Sequence, residues 1–352
     1  MQRQNNIDII VLYKKIISIV GIVYIAFVLA IIPALRPIGI DRDSANYASE
    51  ITRIASLNHI NIFLDGKEPL FNIIVLLTKY ITPDPVRWTL IIYAFLGVLI
   101  KIYSINKYSD NKLISILVYL GLFYILYEFN TIRSSIASAI FLLSLEDIKN
   151  RNFKNYLIKT IIATMFHYAG IVMLPFYFIN ARFIRDNLLK LIFLAIIFDV
   201  VHINVLIIEL LIKVLPSFIS SRLSIYQAML KEGLFVKVSF QRDIYNILML
   251  FILIVARSII RKKHINQIDN SDFEIVSNIL LFSIFLFYLF RSIPVLASRV
   301  SEITNIYIVL FVPIIYKIIS KNERYAFIGI IYFTCISLLM AYIRSYYPIF
   351  WQ

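Results

Sequence analysis

The chain has 352 residues, 60% hydrophobic and 16% charged, with a formal net charge of +14 and a mean hydropathy of +0.82. A soluble domain carries about 45–50% apolar and about 25% charged residues, so this composition excludes an ordinary soluble domain. A lone cysteine, Cys335, excludes an internal disulfide, and the four histidines show no metal-ligand spacing, so no metal is expected.

Long apolar runs recur along the whole chain and lack the ten-residue alternation of a membrane barrel. They predict an all-α, polytopic integral membrane protein forming one membrane domain over 1–352, multi-pass and in contact with membrane lipids. Much of the basic charge sits in short loops between runs, as the positive-inside rule places it. Nucleic acid is therefore not an expected partner. No glycine-rich phosphate loop occurs, and no cofactor is expected.

In chain order, Lys14 and Lys15 precede an apolar run at 16–35, in the form of a signal anchor with its N-terminus in the cytoplasm. Pro33 and Pro37 end that run, and residues 36–67 form an outer (periplasmic) loop. Within it, Asp43 or Ser44 is suited to cap a short amphipathic helix at about 44–57. Asp43 and Tyr47 then share one face. Pro69 suits the first turn of the next helix, and residues 70–82 are too short for a full crossing.

Residues 87–105 span, with Lys101, Lys107 and Lys112 as cytoplasmic markers. Residues 113–129 cross outward to Asn130–Arg133, and residues 134–147 return. Arg133 is followed by small residues at four-residue spacing, Ser134/Ser138 and Ser135/Ala139, which allow another helix to approach closely. A charged side chain in hydrocarbon costs at least ~2.5–3.5 kcal/mol. Arg133 therefore either binds a ligand or snorkels to headgroups.

The run 158–179 is interrupted at Phe166-His167-Tyr168-Ala169-Gly170 and has basic flanks at both ends. This predicts a hairpin of two short helices with His167 near its tip. Residues 188–215 are long enough for one tilted span, and residues 216–243 form a second periplasmic loop. Further runs at 244–260, 273–290, 303–319 and 325–343 complete about nine full spans plus partial elements, or about 9–12 transmembrane helices with short re-entrant ones included.

This topology gathers Arg36, Arg42, Arg133, Arg222, Arg291 and Arg299 toward the outer face, with Asp41, Asp43, Glu68 and His167. Guanidinium forks match phosphate oxygens in a planar, bidentate way. Such a cluster, on the side expected to be poor in basic residues, points to an anionic ligand at the lipid surface, for which a lipid diphosphate is suited. His167, Asp43 and Glu68 are the candidate catalytic residues, as sources of a general base. Arg133, Arg36, Arg42, Asp41, Tyr47, Arg291 and Arg299 are the candidate substrate-binding residues.

These residues carry a family resemblance. The chain resembles the EpsG family of Wzy-type polysaccharide polymerases in Arg36, Gly39 and Asp41 through Tyr47, and in Glu68-Pro69-Leu70-Phe71. The likeness continues in Ile132-Arg133-Ser134-Ser135-Ile136-Ala137, in Phe166-His167-Tyr168-Ala169 with Leu174-Pro175, and in Arg299 before Tyr307. The family more often has glutamine after the arginine of the third motif, where this chain has Ser134.

The resemblance implies a GT-C-like glycosyltransferase of the bacterial inner (cytoplasmic) membrane. It would polymerise undecaprenyl diphosphate-linked oligosaccharide repeat units into a surface polysaccharide such as O-antigen, capsule or exopolysaccharide. A chain-length regulator and a flippase are the implied partners. Two alternatives stand beside it: a flippase or transporter of the same lipid-linked units, and a membrane acyltransferase that modifies the polysaccharide with His167 as base. A flippase calls for repeats or charges along a path through the bilayer, whereas these ionisable residues gather toward one face.

Overall fold

The computed structural model describes residues 20–57, 62, 67–214, 217–232, 238, 240–263 and 267–346. Every regular element among them is helical. The basic flank at Lys14 and Lys15 lies outside the described residues, as does the side chain of Arg222.

Six helices are long and apolar enough to cross a membrane, with one bent pair and four shorter apolar helices beside them. The chain is an all-α polytopic membrane protein. Its periphery exposes large apolar side chains, such as Phe193 of α9 (Arg182–Val200), Phe251 of α12 (Phe240–Lys263) and Phe333 of α16 (Lys321–Tyr346). In water so large an apolar exterior would drive association; against lipid tails it is at rest.

Helix α1 (Val20–Ala34) ends where proline removes a backbone donor. The following turn uses Gly39 at φ +90°, a conformation that glycine adopts without steric cost. Arg36 and Asp41 lock this turn through a buried ion pair of 2.8 Å. Asp41 Oδ1 then accepts from the backbone N–H groups of Asp43 (3.0 Å) and Ser44 (2.6 Å). The cap of α2 (Ser44–Ser56) is therefore supplied by Asp41, and the Asp43 side chain, expected to cap, makes no capping bond. The Arg36 ion pair fixes Asp41 first and leaves the Asp43 carboxylate free for other contacts.

Helix α2 buries Ser44, Tyr47, Ile51 and Ile54 against α3 (Pro69–Ile81) and α4 (Pro85–Tyr108). At 24 residues, α4 is about 36 Å long and spans a bilayer. Helix α5 (Lys112–Tyr119) continues into an eleven-residue π-helix, Leu120–Asn130. Gly121 of this π-helix lies so close to Cys335 of α16 that a Cβ there would overlap it.

Helix α6 (Ile132–Leu143) is the centre of the bundle. All its residues except Arg133 and Leu143 are buried, and it touches α4, the π-helix, α8 (Phe153–Phe166), a 3-10 helix (Tyr168–Asn180) and α14 (Pro294–Thr304). Its small residues permit this crowding. The short helix α7 (Leu145–Lys149) links α6 to α8.

The 3-10 helix folds back along α8. Tyr156 of α8 donates to the carbonyl of Met173 at 2.5 Å, and Tyr177 donates to that of Arg151 at 2.6 Å. The expected hairpin is thus present, and His167 is its tip. Gly170 sits against the backbone of Ala163, where no Cβ fits.

Three expectations are corrected. Residues 188–215 do not form one tilted span: α9 ends at Val200, α10 (Ile203–Val214) leaves at 102°, and His202 takes φ +58° at the break. Residues 216–243 are not simply a loop, because α11 (Ser217–Lys231) occupies much of them. Lys101 is not a cytoplasmic loop marker, because it is fully buried inside α4. The chain closes with α12, α13 (Gln267–Leu289), α14, α15 (Ile308–Ile318) and α16.

Candidate functional site

Three short elements end at one place. Glu68 precedes α3 in extended backbone, Arg133 is the second residue of α6, and His167 joins α8 to the 3-10 helix. Each element starts or stops here because its backbone changes direction, at Pro69, at Thr131 and at the extended His167. Two N-terminal helix ends, of α3 and α6, therefore bring the positive ends of their dipoles to the same point.

Glu68 joins the three elements. Its Oε1 accepts from His167 Nδ1 at 2.8 Å and from the Tyr168 backbone N–H at 3.3 Å. Its Oε2 accepts from Arg133 Nη1. The guanidinium of Arg133 lies 5.7 Å from the Tyr47 ring centroid and 6.0 Å from that of Phe71, each a cation–π distance. The carboxylate is 2% exposed.

Burial pushes the Glu68 carboxyl up, but the His167 hydrogen bond and the Arg133 charge outweigh it and hold it well below the usual carboxylate range. Burial also pushes the His167 imidazole below its ordinary value, despite Glu68. The arrangement is a neutral imidazole donating Nδ1–H to an ionised carboxylate, which leaves a lone pair on Nε2. Among the described residues, this Nε2 is buried without a hydrogen-bond partner, and so is Arg133 Nε. Buried polar atoms are ordinarily paired, so two orphans within one cluster mark it as built for something else.

The cluster opens on a cavity of about 420 Å³. Arg133, His167, Thr131 and Ser134 line one part of it; Asp43, Asn46, Tyr47, Ser49 and Glu50 of the α2 segment line another, with Lys67 and Arg299 completing it. Arg299 is held by Glu302 at 2.7 Å on α14. The Asp43 carboxyl is raised, first by burial and then by the nearby Asp41. The whole arrangement is able to take a proton at His167, hold an anion between two guanidinium groups, and present carboxylates to hydroxyl groups.

The structure brings together Asp43, Tyr47, Glu68, Arg133, His167 and Arg299 of the expected site. It places the others elsewhere. Arg36 is committed to Asp41 and to the carbonyls of Pro33 (2.6 Å) and Phe129 (3.0 Å), so this pair ties the turn after α1 to the end of the π-helix. Arg42 is exposed on the loop and does not line the cavity. Arg291 binds Asp199 at 2.7 Å and Asp243 at 2.6 Å, joining α9 and α12 away from the cavity lining.

Sequence reasoning passed over Lys67 and the polar residues Asn46, Ser49 and Glu50. It also passed over a second ionic cluster, on the same first turn of α6. Lys101 Nζ binds Glu128 Oε1 at 2.8 Å, Ser135 Oγ at 2.6 Å and the Ser135 carbonyl at 3.0 Å. Tyr119 donates to the same Glu128 oxygen at 2.8 Å, and Ser135 Oγ lies 2.9 Å from Glu128 Oε2. This knot fastens α4, the π-helix and the first turn of α6, two residues from Arg133. Its signal was available: Glu128 is a lone carboxylate at the end of an apolar run, where an ion needs a partner.

The sequence matches the EpsG family over residues 19–351. No protein of curated function and no solved structure matches it. The matched region contains every residue of the cavity, and the chain belongs to the EpsG family, a polysaccharide polymerase-like family.

Proposed function

We propose that this EpsG-family chain is a membrane glycosyltransferase that polymerises undecaprenyl diphosphate-linked repeat units at the periplasmic face of a bacterial inner membrane. The observation that carries this reading is Glu68, which joins a neutral histidine to an arginine at the edge of one cavity. A polymerase needs a base for a sugar hydroxyl and a cationic seat for a diphosphate leaving group, close together.

In the reaction the hydroxyl oxygen of one repeat unit bonds to the anomeric carbon of the growing chain. The carbon–oxygen bond to the diphosphate breaks, and undecaprenyl diphosphate leaves with the electron pair. His167 Nε2 accepts the hydroxyl proton. Glu68 fixes the tautomer and stabilises the imidazolium that forms, the role an acid plays behind a catalytic histidine. Arg133 and Arg299 take the charge that develops on the diphosphate, an electrostatic contribution that strengthens away from water.

The test is the surface glycan of a strain lacking this chain. The reading expects single repeat units where the complemented strain shows a ladder of polymer lengths. Loss of all surface glycan in that strain would contradict it and favour transport.

A further inference from the structure

Helix α2 has two adjacent faces. Tyr47, Ile51 and Ile54 point into the bundle, whereas Asn46, Ser49, Glu50 and Arg53 form a more exposed polar stripe about a third of a turn around the helix. From Asn46 to Arg53 the stripe runs about 10 Å along the helix. Three of its members, Asn46, Ser49 and Glu50, line the cavity. The stripe is thus a continuation of the wall that faces Arg133 and His167.

Its chemistry differs from that of the inner wall. Glu50 is clamped by Arg53 through two hydrogen bonds, 2.8 Å and 3.1 Å, so both carboxylate oxygens are fixed in orientation. That clamp also holds the Glu50 carboxyl below its ordinary value. Among the described residues, Asn46 and Ser49 make no side-chain hydrogen bond with the rest of the chain and keep their full capacity for a ligand. An amide, a hydroxyl and a pre-oriented carboxylate match vicinal diols, which both donate and accept. The Asp43 and Glu50 carboxylates repel a phosphate, so an anion is directed to the Arg133 and Arg299 side.

We propose that the polar face of α2, through Asn46, Ser49 and Glu50, is a carbohydrate subsite that holds the sugar residues of a lipid-linked substrate while its diphosphate lies at Arg133 and Arg299. The inference rests on the polymerase reading and adds where the glycan binds. It makes α2 a determinant of which repeat unit is accepted, acting on binding and leaving the chemical step to other residues.

The experiment uses the purified full-length chain in lipid nanodiscs with two probes: lipid-linked repeat units extracted from a strain lacking this chain, and sugar-free undecaprenyl diphosphate. Asn46→Ala, Ser49→Ala and Glu50→Gln are made singly and together, at exposed or half-buried positions, and each variant's unfolding temperature is compared with that of the parent. The triple variant is expected to raise KM for the repeat unit about tenfold or more with kcat within about twofold, and to bind sugar-free undecaprenyl diphosphate as the parent does. Unchanged KM in the triple variant overturns the subsite while leaving the polymerase reading intact. Equal weakening toward the sugar-free lipid also overturns it, because α2 would then act on the diphosphate. Normal polymerisation by Arg133→Lys and His167→Gln controls would remove the cavity from the reaction, and the subsite with it.

Discussion

Two buried ionic clusters meet the first turn of α6, and they differ in what they leave unsatisfied. In one, Lys101 and Glu128 are almost completely excluded from solvent, and the ammonium and carboxylate find each other, Ser135 and Tyr119. In the other, Glu68 is saturated, yet among the described residues His167 Nε2 and Arg133 Nε have no partner, and the cluster meets a cavity. A closed knot holds helices in place. An open one holds hydrogen-bonding capacity in reserve for a ligand. Ser135, two residues after Arg133, belongs to the closed knot, so the closed cluster helps to set the position of the open one.

The largest expected effect breaks the closed knot. Lys101→Met leaves Glu128 buried without its counter-ion, which costs ~3–5 kcal/mol. We expect a marked fall in unfolding temperature, read by intrinsic fluorescence of the protein in detergent. Lys101→Met with Glu128→Leu removes both charges and is expected to recover most of that stability. A double variant as unstable as the single one would show that the charges are not the source.

Next comes the open cluster. Arg133→Lys retains the charge but loses the planar fork. Loss of a charge-assisted hydrogen bond costs ~1.5–3 kcal/mol, or about one to two decades of rate when felt in the transition state. Polymer formation per folded molecule is expected to fall by that factor, and unfolding is expected to stay near that of the parent. A lysine variant within about twofold of the parent would assign Arg133 to simple charge balance.

A smaller effect lies in the pH profile. Burial disfavours the imidazolium of His167 and lowers its pKa from the ordinary 6.5. Nε2 therefore stays unprotonated, and able to accept, to lower pH than in a free histidine. The midpoint of the acid limb of turnover is therefore expected below the ordinary 6.5. An acid limb centred above 6.5 would place the titrating base elsewhere.

The helical membrane fold was legible because apolar runs of spanning length carry most of the information. The hairpin around His167 was legible from its basic flanks and the interruption at Phe166–Gly170. Asp43, Tyr47, Glu68, Arg133, His167 and Arg299 could be singled out by residue type and order, and they meet at one cavity. The rest depends on depth and direction, which hydropathy does not record. Lys101 near the end of an apolar run reads like a loop lysine, although its side chain turns back to Glu128 within the bundle. Arg36 reads like Arg133, yet its guanidinium faces carbonyls of the π-helix. The break at His202 lies among Asp199, His202 and Asn204, polar residues that a single tilted span could also carry, and α11 forms where serines and charges resemble a loop.

The central claim is that the open cluster performs chemistry while the closed one holds the fold, and His167→Gln tests it most directly. Glutamine retains a hydrogen bond to Glu68 but offers no basic nitrogen. Turnover on lipid-linked repeat units and unfolding temperature are measured on the same purified sample. The account expects turnover to fall by about 10²–10⁴-fold, the contribution of a positioned general base, at an unfolding temperature near that of the parent. Turnover close to that of the parent, or a loss of activity that only follows a loss of folded protein, would contradict it.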